Sequence, residues 1–476
     1  MVVIWLGIGC LLSAIVMIGP LRWAMGIVAF TIPMAATMVM QLGADPITLP
    51  VLTSIAFCLR HATTLVTKAQ REIFVALLGR ELPLLLLLAY CLVSGVLFPR
   101  LFAGQAAVPA QDFTRDGYAI LGPHLVSFAQ LGYFLVATYL YVAMRQSILR
   151  VGVGGLLVGI LLQTLAFGGM GFLQATLGLV GVEFPVDWLV TNNIYALLTT
   201  LEERGFVRVT AGFVEASAWG TWAAGALGFC YALFINRLFS WTTAILGGCC
   251  AVAMLLSTSG SAYAGLVFMA VIALVLMTFD PSSQRRLRTL LIMVLGGLAF
   301  AIVAAAILSA EPGQGFLGDL RYMLEETTLR KQYSSSAIER GQWADAGMKA
   351  GFDTYLLGAG YGTVRASGII PTLFGAIGLP GLILLALFLF GCLKSLFKHP
   401  KTKADAVQFG AAFALAAGFG PLLASGTGLE LASMIWIYAA IARTDWVAAR
   451  APSMARSPQL AGKALPEGLA VNRLVS

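Results

Sequence analysis

The chain has 476 residues, 59% of them hydrophobic and 11% charged, with a mean hydropathy of +0.88. Ordinary soluble domains carry roughly a quarter charged residues, so this composition excludes that class and indicates a polytopic membrane protein. The formal charge of +8 follows from basic residues gathered on one side of the membrane, so no nucleic-acid partner is expected.

A helical span needs about 20 mainly apolar residues, and about 12 or 13 stretches approach that measure. They are 3–19, 24–42, 47–59, 82–98, 124–143, 151–180, 211–235, 239–257, 261–279, 289–309, 369–393, 405–424 and 428–442. The expected fold is therefore all-α, a polytopic bundle spanning residues 1–450. A large extracytoplasmic loop at 310–368 and a second at 183–210 are inserted in it. The polar, proline-bearing segment 451–476 is expected to be a disordered cytoplasmic tail. The first stretch lacks a basic leader and a small-x-small cleavage site, so it reads as a retained span. All seven cysteines fall in apolar stretches and indicate neither a disulfide framework nor a zinc site.

Orientation follows from the basic residues. With the 310–368 loop outside, Arg60 to Arg80, Arg145, Arg150, Arg237, Arg285 to Arg288 and Lys394 to Lys403 all lie inside. Along the chain, 60–81 is an amphipathic cytoplasmic connection with no evident chemistry. Residues 99–122 form an external loop. The glycine-rich 145–182 region permits close helix contact, a break, or both.

The junction R-V-T-A-G-F-V-E-A-S at 208–217 is the first informative site. If a helix begins near Thr210 and its first turn extends back to Arg208, then Arg208, Gly212 and Glu215 share a face. A carboxylate at the membrane edge is costly unless paired or wet; the alternatives are a functional pair and a structural Arg208-Glu215 ion pair. In S-T-S-G-S at 257–261 the hydroxyls read as helix caps.

The second informative site runs from Ser336 to Gly381. Ser336 followed by Glu339 predicts a capped helix start, with Arg340, Trp343 and Gly347 on one face. Gly358-Ala359-Gly360-Tyr361-Gly362 follows, where backbone amides can approach an anion, and then Arg365. Arginines flanking such a nest beside a membrane span would suit the diphosphate of a lipid-linked substrate. The first half of the loop places Leu317, Leu320, Met323 and Leu324 opposite Arg321, Glu325 and Glu326, as on a surface helix.

These three places, in this order between residues 205 and 395, resemble the O-antigen polymerase and ligase superfamily of Wzy-like and WaaL-like membrane glycosyltransferases. The 208–217 segment is similar to that family's arginine, glycine-aromatic, Glu-Pro-Ser helix start, with Ala216 in place of proline. The 257–261 segment is similar to its serine-rich break, without the arginine often found there. The 339–368 segment is similar to its large periplasmic loop and return. The resemblance implies a GT-C-like bundle in a bacterial inner membrane. It implies a site facing the periplasm that transfers glycan from a polyprenyl-diphosphate carrier. Ligases of the family carry a histidine after the glycine turn; Ala366 to Ile370 has none, which favours polymerase. A chain-length regulator and a flippase are the implied protein partners.

The expected catalytic residues are Arg208, Arg340 and Arg365 on the diphosphate and Glu215 on the acceptor hydroxyl, with Glu339 and Asp345 as further candidate bases. Trp343, Glu339, Gly358, Gly360, Tyr361 and Gly362 are expected to contact substrate. No Asp-x-Asp pair occurs in an external segment, so no divalent metal and no cofactor are expected. The rival readings are an O-antigen ligase acting on lipid A core and a transporter or flippase of lipid-linked sugars. A transporter would place ionisable residues near mid-membrane and is often built from repeats.

Overall fold

The computed structural model describes residues 2–42, 45–109, 118–179, 181–192, 202–203, 206–257, 259–279, 283–308, 335–426 and 434–444, with 318, 321 and 325. The proposed tail, Asp112, Arg115 and Asp116, and most of the expected surface helix at 317–326 lie outside these residues.

The chain is mostly helical, and seven described helices are long and apolar enough to cross a membrane. They are Leu82–Leu101, Ser127–Val151, Gly154–Gly178, Ala216–Ile235, Gly260–Phe279, Ile369–Phe397 and Lys403–Ser425. In chain order the N-terminal half comprises α1 (Val2–Ile18), α2 (Leu21–Thr31), α3 (Leu49–Thr64), α4 (Lys68–Gly79), α5 (Leu82–Leu101) and α6 (Leu125–Val151). Next come α7 (Gly154–Gln163) and α8 (Gly169–Gly178), joined by a π-helical turn at Thr164–Gly168. The C-terminal half comprises α9 (Ala216–Ile235), α10 (Ser240–Leu256), α11 (Gly260–Phe279), α12 (Ser283–Leu308), α13 (Ser335–Asp353), α14 (Ile369–Leu393), α15 (Lys403–Ser425) and α16 (Met434–Ala442). Three short antiparallel hairpins, Met38–Leu42 with Asp45–Thr48, Ala107–Pro109 with Tyr118–Ile120, and Glu202–Glu203 with Phe206–Val207, qualify the all-α expectation.

The expected span 24–42 is corrected. Its helix stops at Thr31, because Pro33 cannot supply a helical amide, and the chain continues as the strand Met38–Leu42. Within the glycine-rich 151–180 region, Gly154–Gly178 is one continuous helix carrying a π turn. Its glycines serve close contact: a β-carbon on Gly155 would lie 2.0 Å from the Arg22 carbonyl oxygen, and one on Gly159 would lie 2.3 Å from that of Gly26.

At the centre is α9, nearly every residue of which is buried. Small residues let α15 close on it: a β-carbon at Gly228 would meet that of Ala417 at 2.8 Å. The N-terminus of this most enclosed helix is Glu215, so the rigid core fixes that residue.

The return helix α14 is broken. Gly378 has φ 59° and ψ −165°, and Pro380 follows it. The break frees backbone groups that have no water to turn to inside a bundle. The glycine segment before α14 satisfies them: the amides of Ala359 and Gly360 donate to the carbonyls of Gly375 (2.7 Å) and Ala376 (2.9 Å), and the Leu379 amide donates to Leu356 O (2.8 Å). Such closeness needs glycine. Gly360 has φ +110°, and a β-carbon there would sit 2.8 Å from the Ser94 carbonyl oxygen. Gly360→Ala should therefore destabilise the protein by about 1–3 kcal/mol, the cost of a residue held in a sparsely populated backbone region. The thermal midpoint of purified variant against wild type is the check; an unchanged midpoint would remove this segment's structural role.

At the far end of α6, Glu81 (1% exposed) lies between two arginines. Arg145 Nη1 on α6 is 2.5 Å from Glu81 Oε1, and Arg443, just past α16, reaches the same oxygen at 3.2 Å. Arg145 Nη2 also donates to Arg443 O (2.9 Å), and Arg443 Nη2 to Arg80 O (3.1 Å). One carboxylate thus ties α5, α6 and the C-terminal helix. From sequence alone Arg145 is only an inside charge and Glu81 has no evident role.

Candidate functional site

The chain from Val209 to Glu215 is not helical, which corrects the shared helix face expected for Arg208, Gly212 and Glu215. Ala211 (φ 46°) and Gly212 (φ 83°) turn the backbone, Phe213 N donates to Thr210 O (2.8 Å), and α9 begins only at Ala216. Gln174 on α8 holds this turn by accepting from the amides of Thr210 (2.9 Å) and Ala211 (2.8 Å) through Oε1. Leu189 closes over Gly212, where a β-carbon would meet its Cδ1 at 2.6 Å. Leu189 is itself fixed, since its carbonyl accepts from Thr37 Oγ1 (2.8 Å) and Thr191 Oγ1 accepts from the Met38 amide (2.9 Å). The second loop is thus anchored to the first hairpin, and the turn is framed on both sides.

Glu215 occupies the extended position before α9 but does not cap it. Its Oε1 accepts from Ser217 Oγ, and its Oε2 lies 3.8 Å from Nη2 of Arg340. Both side chains are about a third exposed, at 30% and 35%. Two sources of positive potential converge on the carboxylate, the guanidinium and the amide end of α9.

Arg340 reaches it from α13, which starts at Ser335, one residue before the expected cap at Ser336. The expected face of Arg340, Trp343 and Gly347 lies along this helix. Gly347 proves to be a packing residue: a β-carbon there would meet Ala366 at 2.7 Å and the Pro371 carbonyl at 2.8 Å. With that glycine pressed on the start of α14, Arg340 two turns earlier on the same side comes to Glu215. Trp343 is 37% exposed, and Glu339 and Asp345 are exposed.

Arg208 is half-buried and its Nε is enclosed without a hydrogen-bond partner among the described residues. An orphaned buried donor costs about 1–3 kcal/mol, so an oxyanion arriving there would find a donor with nothing to give up. Arg365 is half-buried after the glycine segment.

The glycine segment itself is corrected. The amides of Ala359 and Gly360 are already bonded to α14, so they do not form an open nest for an anion. Tyr361 is 6% exposed and lies against Phe134 with ring centroids 5.0 Å apart, which makes it a core residue and not a substrate platform. The serine break is structural, as its caps suggested: Ser257 Oγ donates to Met254 O (2.9 Å) and Ser261 Oγ to Ser425 Oγ (3.0 Å). Ser259 Oγ reaches the carbonyl of Ala216 (3.4 Å), which sets the break against the first turn of α9. Among the described residues no group of three or more histidine, cysteine or acidic side chains could hold a metal ion.

Fold and site together define a polytopic, mainly helical membrane protein with an acid-arginine pair at one end of its bundle. No family model matches the sequence, and no curated protein matches it.

Proposed function

We propose that this protein polymerises polyprenyl-diphosphate-linked oligosaccharide repeat units into a surface polysaccharide or exopolysaccharide by metal-independent glycosyl transfer. The site faces the periplasm of a bacterial inner membrane, and a chain-length regulator and a flippase act with it. The observation that carries the reading is the meeting of Glu215 and Arg340, which lie 125 positions apart in the chain, at a partly exposed place beside the core helix. An acceptor hydroxyl oxygen forms a bond to the donor's anomeric carbon while the bond from that carbon to the diphosphate breaks. Glu215 takes the hydroxyl proton, and Arg340, Arg208 and Arg365 stabilise the charge gathering on the departing diphosphate. Trp343 and Glu339, exposed on the same helix as Arg340, are the side chains that touch the sugar in this reading.

The test is the purified protein in liposomes with lipid-linked repeats. A ladder of product lengths that persists with a chelator is expected. Loss of the ladder on chelation, with return on adding Mg²⁺ or Mn²⁺, would overturn the metal-independent step. A single transfer to lipid A core would make the protein a ligase. Movement of substrate across the bilayer with no new glycosidic bond would make it a transporter.

A further inference from the structure

At the other end of α6 from this site is a cavity of about 70 Å³ lined by Arg60, His61, Thr64, Ser147 and Arg150, with Leu21 and Phe57 as its apolar wall. Ser127, near the start of α6, touches the glycine segment through Gly362 O; Ser147 is 20 residues further on, or about 30 Å at 1.5 Å per residue. The cavity is therefore separate from the proposed catalytic end.

Its chemistry is one-sided. No carboxylate lines it. Arg60 uses Nη1 to donate to Val16 O (2.7 Å). Arg150 makes no hydrogen bond or ion pair among the described residues. His61 is already committed, with Nδ1 at Tyr139 Oη (3.0 Å) and Nε2 at Gln146 Oε1 (3.0 Å). Ser147 is 2% exposed, and its hydroxyl has no partner among the described residues. Helix C-termini complement nearby arginines, which accounts for the charges at the ends of α3 and α6. It does not account for a serine hydroxyl between them that lines the cavity with no hydrogen bond among the described residues. A site of this size holds several waters' worth of volume, since one water needs about 10–15 Å³.

We propose that this cavity binds a phosphate oxyanion, held by Arg60 and Arg150 and by the Ser147 hydroxyl as a neutral donor. The phosphate belongs either to an anionic phospholipid headgroup or to free inorganic phosphate. This rests on no part of the glycosyl-transfer reading.

The experiment compares wild type, Arg150→Gln and Ser147→Ala, each checked for the wild-type elution volume. Native mass spectrometry measures retention of phosphatidylglycerol against phosphatidylcholine, and the thermal midpoint is followed in inorganic phosphate against chloride at equal ionic strength. Arg150→Gln should weaken binding about tenfold, the scale of one lost charged hydrogen bond, and Ser147→Ala about threefold on the scale of a neutral one. Selective lipid retention identifies the headgroup, and a phosphate-dependent midpoint without lipid selectivity identifies the free ion. Absence of both, or binding unchanged in both variants, overturns the site.

Discussion

Replacing Arg340 by alanine is expected to lower glycan transfer about 10²–10³-fold, the usual consequence of losing one preorganised donor to developing charge. The protein should remain folded. The Arg340-Glu215 pair spans 3.8 Å with both side chains about a third exposed, and solvent-screened pairs of that kind contribute about 0–1 kcal/mol. Activity and stability should therefore separate: a large loss of ladder formation with a thermal midpoint close to wild type. Arg340→Lys should recover little, because an ammonium cannot present the planar fork that engages two oxygens together. Full activity in Arg340→Ala would remove this arginine from the reaction, and with it the observation on which the proposed function rests.

The opposite profile is expected at Glu81. Glu81→Gln keeps the shape but leaves Arg145, 3% exposed at its side chain, and Arg443 without their common counter-charge. Breaking a buried ion pair from one side costs about 3–5 kcal/mol. Denaturation in mixed micelles should show a loss of that order, with transfer per folded molecule unchanged. A loss below about 1 kcal/mol would mean that water or backbone already compensates the arginines. The two variants together distinguish a residue that acts on substrate from one that holds helices in place.

The helical membrane class was legible from composition, and the boundaries of 82–98, 239–257, 261–279, 369–393 and 405–424 fell within a few residues of the helices observed. The failures have specific causes. Hydropathy cannot see that Pro33 ends a helix in an apolar run, so 24–42 looked like one span. Helical spacing put Arg208 and Glu215 on one face, but the turn through Ala211 and Gly212 cancels that periodicity. The glycines at 358, 360 and 362 do mark a place of close backbone approach, but what approaches is other helices, and the broken α14 takes the amides of Ala359 and Gly360.

The sequence by itself determined that this chain lives in a bilayer, where several of its long helices fall and which polar residues stand near their ends, because burial of apolar length is a local and additive property. Which of those residues meet was decided only by the tertiary structure. Glu215 meets Arg340 and not Arg208, and Glu81 meets both Arg145 and Arg443, because the packing of α13 with α14, and of α6 with α5 and α16, brings distant segments within ion-pairing range. No spacing along the chain encodes such distances.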